Sequence, residues 1–157
     1  MSNINPNGQE KDVITGARKQ FRRKLNQWGK YLEQGEWAGT FRAWNVEHDD
    51  DSKDAAGTGL DGIIEFKKLA NGNLTARIEW NHAVDDTPQS ADYIISLSPY
   101  NRTFTGLGYL AGFDETARAT GYFDPKRGLL NVIDIGPSQG SLTGGTFIRT
   151  WDFVDIG

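Results

Sequence analysis

One change of hydrophobic period, at Gly35, constrains the fold of this chain more than any other feature. Before it, apolar residues recur every three or four positions, the spacing of one face of an α-helix. They are Val13, Ala17, Phe21, Leu25, Trp28 and Leu32. After it, apolar and polar residues alternate, as in a half-buried β-strand. We therefore predict one helix over residues 9–33, ended by Gly35, and then a chain of strands.

About eight strand-like stretches follow Gly35 at intervals of 10 to 14 residues. Turn residues separate them, for example Asn71-Gly72 and the stretch 124–128. Short strands at even spacing, with no second helix among them, are typical of an up-and-down barrel or a sandwich. We predict a mainly β fold, an eight-stranded antiparallel up-and-down barrel with an N-terminal α-helix. Such a barrel has room for core side chains or for one small ligand.

The length of 157 residues suits one domain. Residues 1–8 are polar and contain both Gly and Pro, so we predict a disordered lead there. The helix and barrel then form a single domain over residues 9–157. The chain has 19 glycines, which we expect at turns, bulges and tight barrel corners.

Several classes of site are excluded or disfavoured by composition. The chain has no cysteine, so it has no disulfide and no thiolate metal site. The acidic stretch 47–51 lacks the spacing of a calcium loop, and the Gly-rich stretch 136–145 lacks the Lys-Ser/Thr of a phosphate-binding loop. We therefore expect no metal and no cofactor. With no apolar run of membrane-spanning length and no signal peptide, we expect a cytoplasmic protein.

Charge is distributed unevenly along the chain. Residues 1–34 carry seven basic and three acidic side chains, a net charge of +4, so with −4 for the whole chain the remainder carries −8. We predict that the basic face of the helix is solvated or pairs with its own barrel, with two alternatives: docking to an acidic protein, or binding to nucleic acid or anionic lipid. An acidic body repels phosphates, so we expect no nucleic-acid partner.

The stretch Gln34-Gly35-Glu36-Trp37-Ala38-Gly39-Thr40-Phe41 resembles the opening of a calycin. Lipocalins begin their first strand with Gly-x-Trp after a short helical segment, and their tryptophan packs under an arginine from near the last strand. Here that arginine would be Arg149. The resemblance implies a structural pair of Trp37 and Arg149 that closes the barrel floor.

The chain departs from secreted lipocalins, because it has no disulfides and no Thr-Asp-Tyr loop at mid-chain. The resemblance therefore points to the intracellular branches. These comprise bilin-chromophore lyases, haem-binding nitrobindin-like barrels, fatty-acid-binding proteins and small barrel cyclases.

Strand alternation puts Arg149 on one face with the aromatic residues Phe147, Trp151 and Phe153. If that face points inward, the cation needs a partner. We expect Asp134, a backbone carbonyl or a ligand carboxylate. The residues that we expect to line a ligand site are Trp80, Tyr109, Tyr122, Arg149 and Trp151.

No catalytic motif is present in the sequence. The candidates for proton transfer or polar catalysis are His82, Tyr109, Tyr122 and Arg149. Each also has a structural explanation, such as a rim histidine, a packed tyrosine or a core ion pair.

Three functions stay open. The first is binding of one small, largely apolar or weakly anionic molecule, such as a pigment, a lipid or a pathway intermediate. The second is a cyclase, isomerase or chromophore lyase that works by holding its substrate in a reactive conformation. The third is a filled barrel that acts as an interaction protein through its basic helix. Small residues predicted to face inward favour space inside the barrel; they are Gly39, Gly106, Gly108, Ala119 and Gly121.

Overall fold

The computed structural model describes residues 6–45, 60–81, 86–110, 116–137 and 146–157. It contains one helix and eight strands, as predicted. They are α1 (Pro6–Gln34), β1 (Trp37–Asn45), β2 (Leu60–Lys68), β3 (Leu74–Asn81), β4 (Pro88–Leu97), β5 (Thr103–Leu110), β6 (Thr116–Asp124), β7 (Leu129–Pro137) and β8 (Thr146–Asp155).

The strands form a closed antiparallel barrel in which each strand pairs with the next along the chain. The barrel is closed by β1 and β8, which pair from Trp37 opposite Asp155 to Asn45 opposite Phe147. The predicted eight-stranded up-and-down barrel with an N-terminal helix is therefore confirmed.

Side chains alternate between the inside and the outside of the barrel. In β3 every second residue from Leu74 to Trp80 is buried. In β8 the buried positions include Arg149, Trp151 and Phe153, so this face does point inward.

Helix α1 covers one end of the barrel, which we call the helix-side end. Its Trp28 meets Phe123 edge to face at 5.6 Å between ring centroids, and Tyr31 contacts both Phe123 and Trp37. Leu32 is fully buried beneath them. We call the opposite end, where β1 and β7 finish, the loop-side end.

The helix is only partly docked. Its start at Pro6 lies before the predicted start at residue 9, so residues 6–8 are helical and the prediction of a disordered lead is wrong for them. Residues 1–5 lie outside the described part. The apolar face of the helix is not buried along its whole length, because Val13, its first residue, is 72% exposed. Burial begins further along the helix, where it reaches the barrel.

The Gly-x-Trp segment joins the helix to the barrel. The indole Nε1 of Trp37 donates a hydrogen bond of 3.0 Å to the carbonyl of Leu32, one of the carbonyls that the helix end leaves unpaired. A Cβ on Gly35 would stand 2.5 Å from that Nε1, so the residue before this turn must be glycine. The motif thus has a packing explanation in this chain.

Candidate functional site

A buried ion pair lies inside the barrel, in the half that ends at the loop-side end. Asp134 of β7 and Arg149 of β8 are directly opposite each other in the strand register. Arg149 Nη2 stands 2.6 Å from Asp134 Oδ2, and Nε stands 3.0 Å from Oδ1, so the guanidinium binds both carboxylate oxygens. Asp134 is fully buried and Arg149 is 4% exposed. The sequence prediction that Asp134 could be the partner of Arg149 is confirmed.

Two further donors reach the same carboxylate from other parts of the barrel wall. The Tyr93 hydroxyl, on β4, donates to Asp134 Oδ2 at 2.7 Å. The Trp151 indole, on β8, donates to Oδ1 at 3.2 Å. Each carboxylate oxygen therefore accepts at least two hydrogen bonds, and the bond from Tyr93 crosses the barrel interior.

An indole ring lies against the other side of the guanidinium. The Arg149 Cζ atom is 4.6 Å from the ring centroid of Trp80, which also packs against the ring of Trp151. A cation over an indole is attracted to its electron-rich face. We call these five residues the polar cluster: Trp80, Tyr93, Asp134, Arg149 and Trp151.

Among the described residues, the acceptors for Arg149 do not use all of its N–H groups. Within the described part of the chain, its hydrogen bonds to Asp134 run through Nε and Nη2, and the Tyr93 hydroxyl also interacts with the guanidinium. Nη1, with two N–H groups, donates to no described residue. A guanidinium has five N–H donors, and buried donors without an acceptor are costly.

Burial and neighbouring charges determine the ionisation states of Tyr93 and Arg149. Burial raises the pKa of Tyr93, and the negative charge of Asp134 raises it further, so the phenol stays protonated and remains a donor. Burial by itself lowers the pKa of Arg149, but the charge and hydrogen bonds of Asp134 outweigh it and the pKa is raised. Within the cluster, the Tyr93 phenol is therefore neutral and the Arg149 guanidinium is charged.

Inward-facing glycines do not leave the empty space that the sequence suggested. A Cβ on Gly62 would collide with the ring of Trp151, and one on Gly121 would collide with the ring of Phe104. Gly106 is likewise covered by side chains of β4. The missing side chains make room for neighbouring ones, so the expectation of space is wrong at Gly106 and Gly121.

Two other glycines allow neighbouring strands to pack closely. A Cβ on Gly39 would meet the carbonyl of Asp152, and one on Gly108 would meet the carbonyl of Asp92. Backbone therefore occupies the space that these two positions would otherwise offer, and close strand contact is their role.

Three of the five predicted ligand-lining residues come together in the polar cluster, namely Trp80, Arg149 and Trp151. Tyr122 does not, because it lies on the outer face of β6 and is 47% exposed; its prediction as an inner residue is wrong. Tyr109 is described for its backbone only, which pairs with Asp92 and Thr116. His82 lies outside the described residues.

The predicted pairing of Trp37 with Arg149 is wrong. In the β1–β8 register Arg149 lies opposite Ala43, six residues along β1 from Trp37. That separation is roughly 20 Å at about 3.3 Å per residue. Trp37 serves the helix end, and the tryptophan that stacks on Arg149 is Trp80.

Sequence reasoning missed Tyr93 as a member of the site. It alternates with Ala91 and Ile95 on the inward face of β4, and all three are buried. A single hydroxyl on an otherwise apolar strand face was the available signal, since a buried tyrosine usually finds a partner for its hydroxyl.

A groove of about 640 Å³ lies beside the cluster, over the ends of β2, β3 and β4 that face the loop-side end. Trp80 lines it together with Gly62 and Ser90, and the outward-facing Arg77 and Glu79 form part of its wall. The ring of Trp80 therefore borders both the groove and the buried guanidinium.

Among the residues that the structure describes, no three His, Asp or Glu side chains cluster as metal ligands would. Within the same residues, no helix combines the length and the apolar character that crossing a membrane requires. No protein-family model, curated protein or solved structure matches this chain.

Proposed function

We propose that this barrel binds one small, largely apolar molecule with a polar or anionic group, and that Arg149 recognises this group. The observation that carries the proposal is a buried guanidinium whose Nη1 donates to no described residue, in an interior lined mostly by aromatic and aliphatic side chains. The closed barrel and the Gly35-Glu36-Trp37 opening support a lipocalin-like, calycin assignment, in which the interior is the binding site.

Stability alone is a poor explanation for the ion pair. Removing two charges from water costs several kcal/mol per ion, and apolar residues of similar volume at such sites are often neutral or stabilising. Apolar residues occupy the next inward positions of the same two strands, Val132 beside Asp134 on β7 and Trp151 beside Arg149 on β8. A charged pair in this place is therefore better explained by recognition of a ligand.

The geometry favours binding over acid–base catalysis. Asp134 has its lone pairs occupied by Arg149, Tyr93 and Trp151, so it is not free to accept a proton from a substrate. Tyr93 holds its proton because its pKa is raised. A cyclase, isomerase or lyase that works by positioning its substrate stays compatible with this site, and Arg149 would then orient the substrate.

Trp80 offers a route to the cluster. It is 7% exposed, lines the 640 Å³ groove and covers the guanidinium. Rotation of this one side chain would connect the groove to Arg149. The groove volume falls in the range of small-molecule sites, about 300–1,000 Å³.

The test is a fluorescence titration with matched pairs of ligands that share an apolar body and differ in charge. Suitable probes are a polyene acid with its alcohol, a fatty acid with its alcohol, and a tetrapyrrole. We expect saturable quenching by at least one class, with the Trp80→Phe variant losing most of the signal. A micromolar Kd corresponds to about −8 kcal/mol, which roughly 300 Å² of apolar burial supplies before the costs of association.

Variants of the polar cluster test whether Arg149 recognises the charge of the ligand. We expect Arg149→Met combined with Asp134→Leu, which removes both charges, to weaken binding of the acid about tenfold more than binding of the alcohol. Arg118→Met is the control, because Arg118 is a cation on the outer face of β6 that does not line the groove. Equal losses for acid and alcohol in the double variant would contradict recognition by Arg149.

A specific observation also favours the filled-barrel alternative. The rings of Trp151 and Phe104 occupy the space beside Gly62 and Gly121. If no ligand class saturates, and native mass spectrometry of the freshly purified protein finds no bound molecule, the interior is filled. The helix would then be the functional surface, with an acidic protein as its partner.

A further inference from the structure

A second concave surface lies outside the barrel, between α1 and the helix-side end. It has a volume of about 630 Å³ and is bordered by one side of the helix and by the turns and ends of β2, β3 and β4. It is separate from the polar cluster, because Arg149 lies in the other half of the barrel. We call it the helix groove.

The groove has an aliphatic floor. Leu74 and Ile95 reach it from the barrel wall and are almost fully buried, with exposures of 8% and 6%. Leu97 and Leu25 are half-buried there, the first from β4 and the second from the helix. Gly29 has no side chain, and a Cβ added there would contact only Leu97, at 3.7 Å, so the space beside it is open. The helix therefore leaves a channel above aliphatic side chains.

Three cations border this floor, namely Arg22 and Lys30 of α1 and Lys68 at the end of β2. None of them forms an ion pair with another residue in the described part of the chain. The one acidic residue in the lining, Glu33, has an oxygen occupied by the backbone N–H of Lys68 at 2.8 Å. With three cations and one carboxylate, the lining carries a net charge of +2 beside apolar surface.

We propose that the helix groove binds a single-chain amphiphile with an anionic head, its acyl chain on the leucines and isoleucine and its head between Arg22, Lys30 and Lys68. The aliphatic floor fits a methylene chain, and charge complementarity fits the head. A peptide added as a strand is disfavoured, because the barrel is closed and offers no free edge among the described strands.

The experiment is isothermal titration of the full chain with dodecanoate below its micellar concentration, and with dodecanol as the neutral control. We expect one site for dodecanoate and at least tenfold weaker binding of dodecanol. The triple variant Arg22→Gln/Lys30→Gln/Lys68→Gln should weaken dodecanoate binding by tenfold or more and leave dodecanol within about twofold.

The control for general electrostatic attraction is a second triple variant, Lys19→Gln/Arg23→Gln/Lys24→Gln. It removes three cations of the same helix that do not line the groove. If both triple variants lose affinity equally, the attraction is general and the proposal is overturned. Gly29→Phe should abolish binding by filling the channel, and unchanged binding in a variant that melts normally would overturn the proposal as well.

The cluster variant separates this site from the barrel interior. Arg149→Met with Asp134→Leu should leave dodecanoate binding unchanged if the helix groove is the site. If this variant abolishes binding while Gly29→Phe does not, dodecanoate enters the barrel; the helix-groove proposal then fails and the proposed function stands. Absence of any dodecanoate binding overturns the groove proposal alone, since the barrel site is tested with other ligand classes.

Discussion

Replacing Asp134 with Asn tests whether the buried ion pair is as desolvated as its geometry indicates. The change keeps the shape of the side chain and removes its charge. Arg149, Tyr93 and Trp151 all donate to Asp134, and both oxygens are used. Whichever way the amide is turned, its NH2 group therefore faces donors, while the guanidinium stays buried without a counter-charge.

The expected cost follows from burial. Removing one partner of a buried pair destabilises a protein by about 3–5 kcal/mol, because the other charge stays uncompensated. For a chain of 157 residues each kcal/mol lowers Tm by about 2–4 °C, so we expect a fall of roughly 6–20 °C. Urea unfolding followed by circular dichroism measures the free energy, and an unchanged m value would show that the two-state comparison holds.

The chain contains its own matched control. Arg77 and Asp92 are also an arginine and an aspartate opposite each other on adjacent strands, 3.0 Å apart, but their side chains are 48% and 57% exposed. Asp92→Asn should cost only about 0.2–1 kcal/mol, as exposed pairs do. If Asp134→Asn costs no more than Asp92→Asn, water reaches the inner pair and the argument from desolvation is refuted.

Three further changes probe the packing by thermal melting. Gly16→Ala, at a helix position with nothing within 4 Å of the new Cβ, should stabilise by about 0.5–1 kcal/mol, and a loss would mean that the helix is not formed there. Gly121→Ala should destabilise by about 1–3 kcal/mol, because the ring of Phe104 must move; a neutral result would reveal free space. Phe21→Asp should lower Tm by several degrees, whereas Val13→Asp, at a position 72% exposed, should not; equal effects would contradict the partial docking of the helix.

The element types could be predicted because hydrophobic period is a local property. Steps of three and four up to Leu32, followed by alternation from Trp37, predict a helix and then strands without knowledge of the partners. The same alternation gave the inward face of β8. The alternation also indicates that Tyr122 faces outward, because it shares a strand face with the polar Arg118 and Thr120. The prediction that Tyr122 lines a ligand site relied on its hydroxyl group and not on this alternation.

The pairing of side chains across the barrel could not be predicted in the same way. Which tryptophan stacks on Arg149 depends on the β1–β8 register, which places Ala43 opposite that residue. The residues of β1 alone do not determine which residue of β8 lies opposite each of them, because β8 is distant in the sequence. The docked length of the helix was beyond reach for a similar reason, since Val13 and Trp28 look alike in the pattern and differ only in how far the barrel extends beneath them.

Closure of the barrel by its first and last strands has a consequence for synthesis on the ribosome. β1 ends at Asn45 and β8 begins at Thr146, so at about 5–20 residues per second one edge of β1 waits roughly 5–20 seconds for its partner. An unpaired strand edge is a template for association with other chains. Truncated or stalled chains that lack β8 should therefore aggregate even when the other seven strands are complete. The yield of native protein should depend on how soon β8 is synthesised after β1.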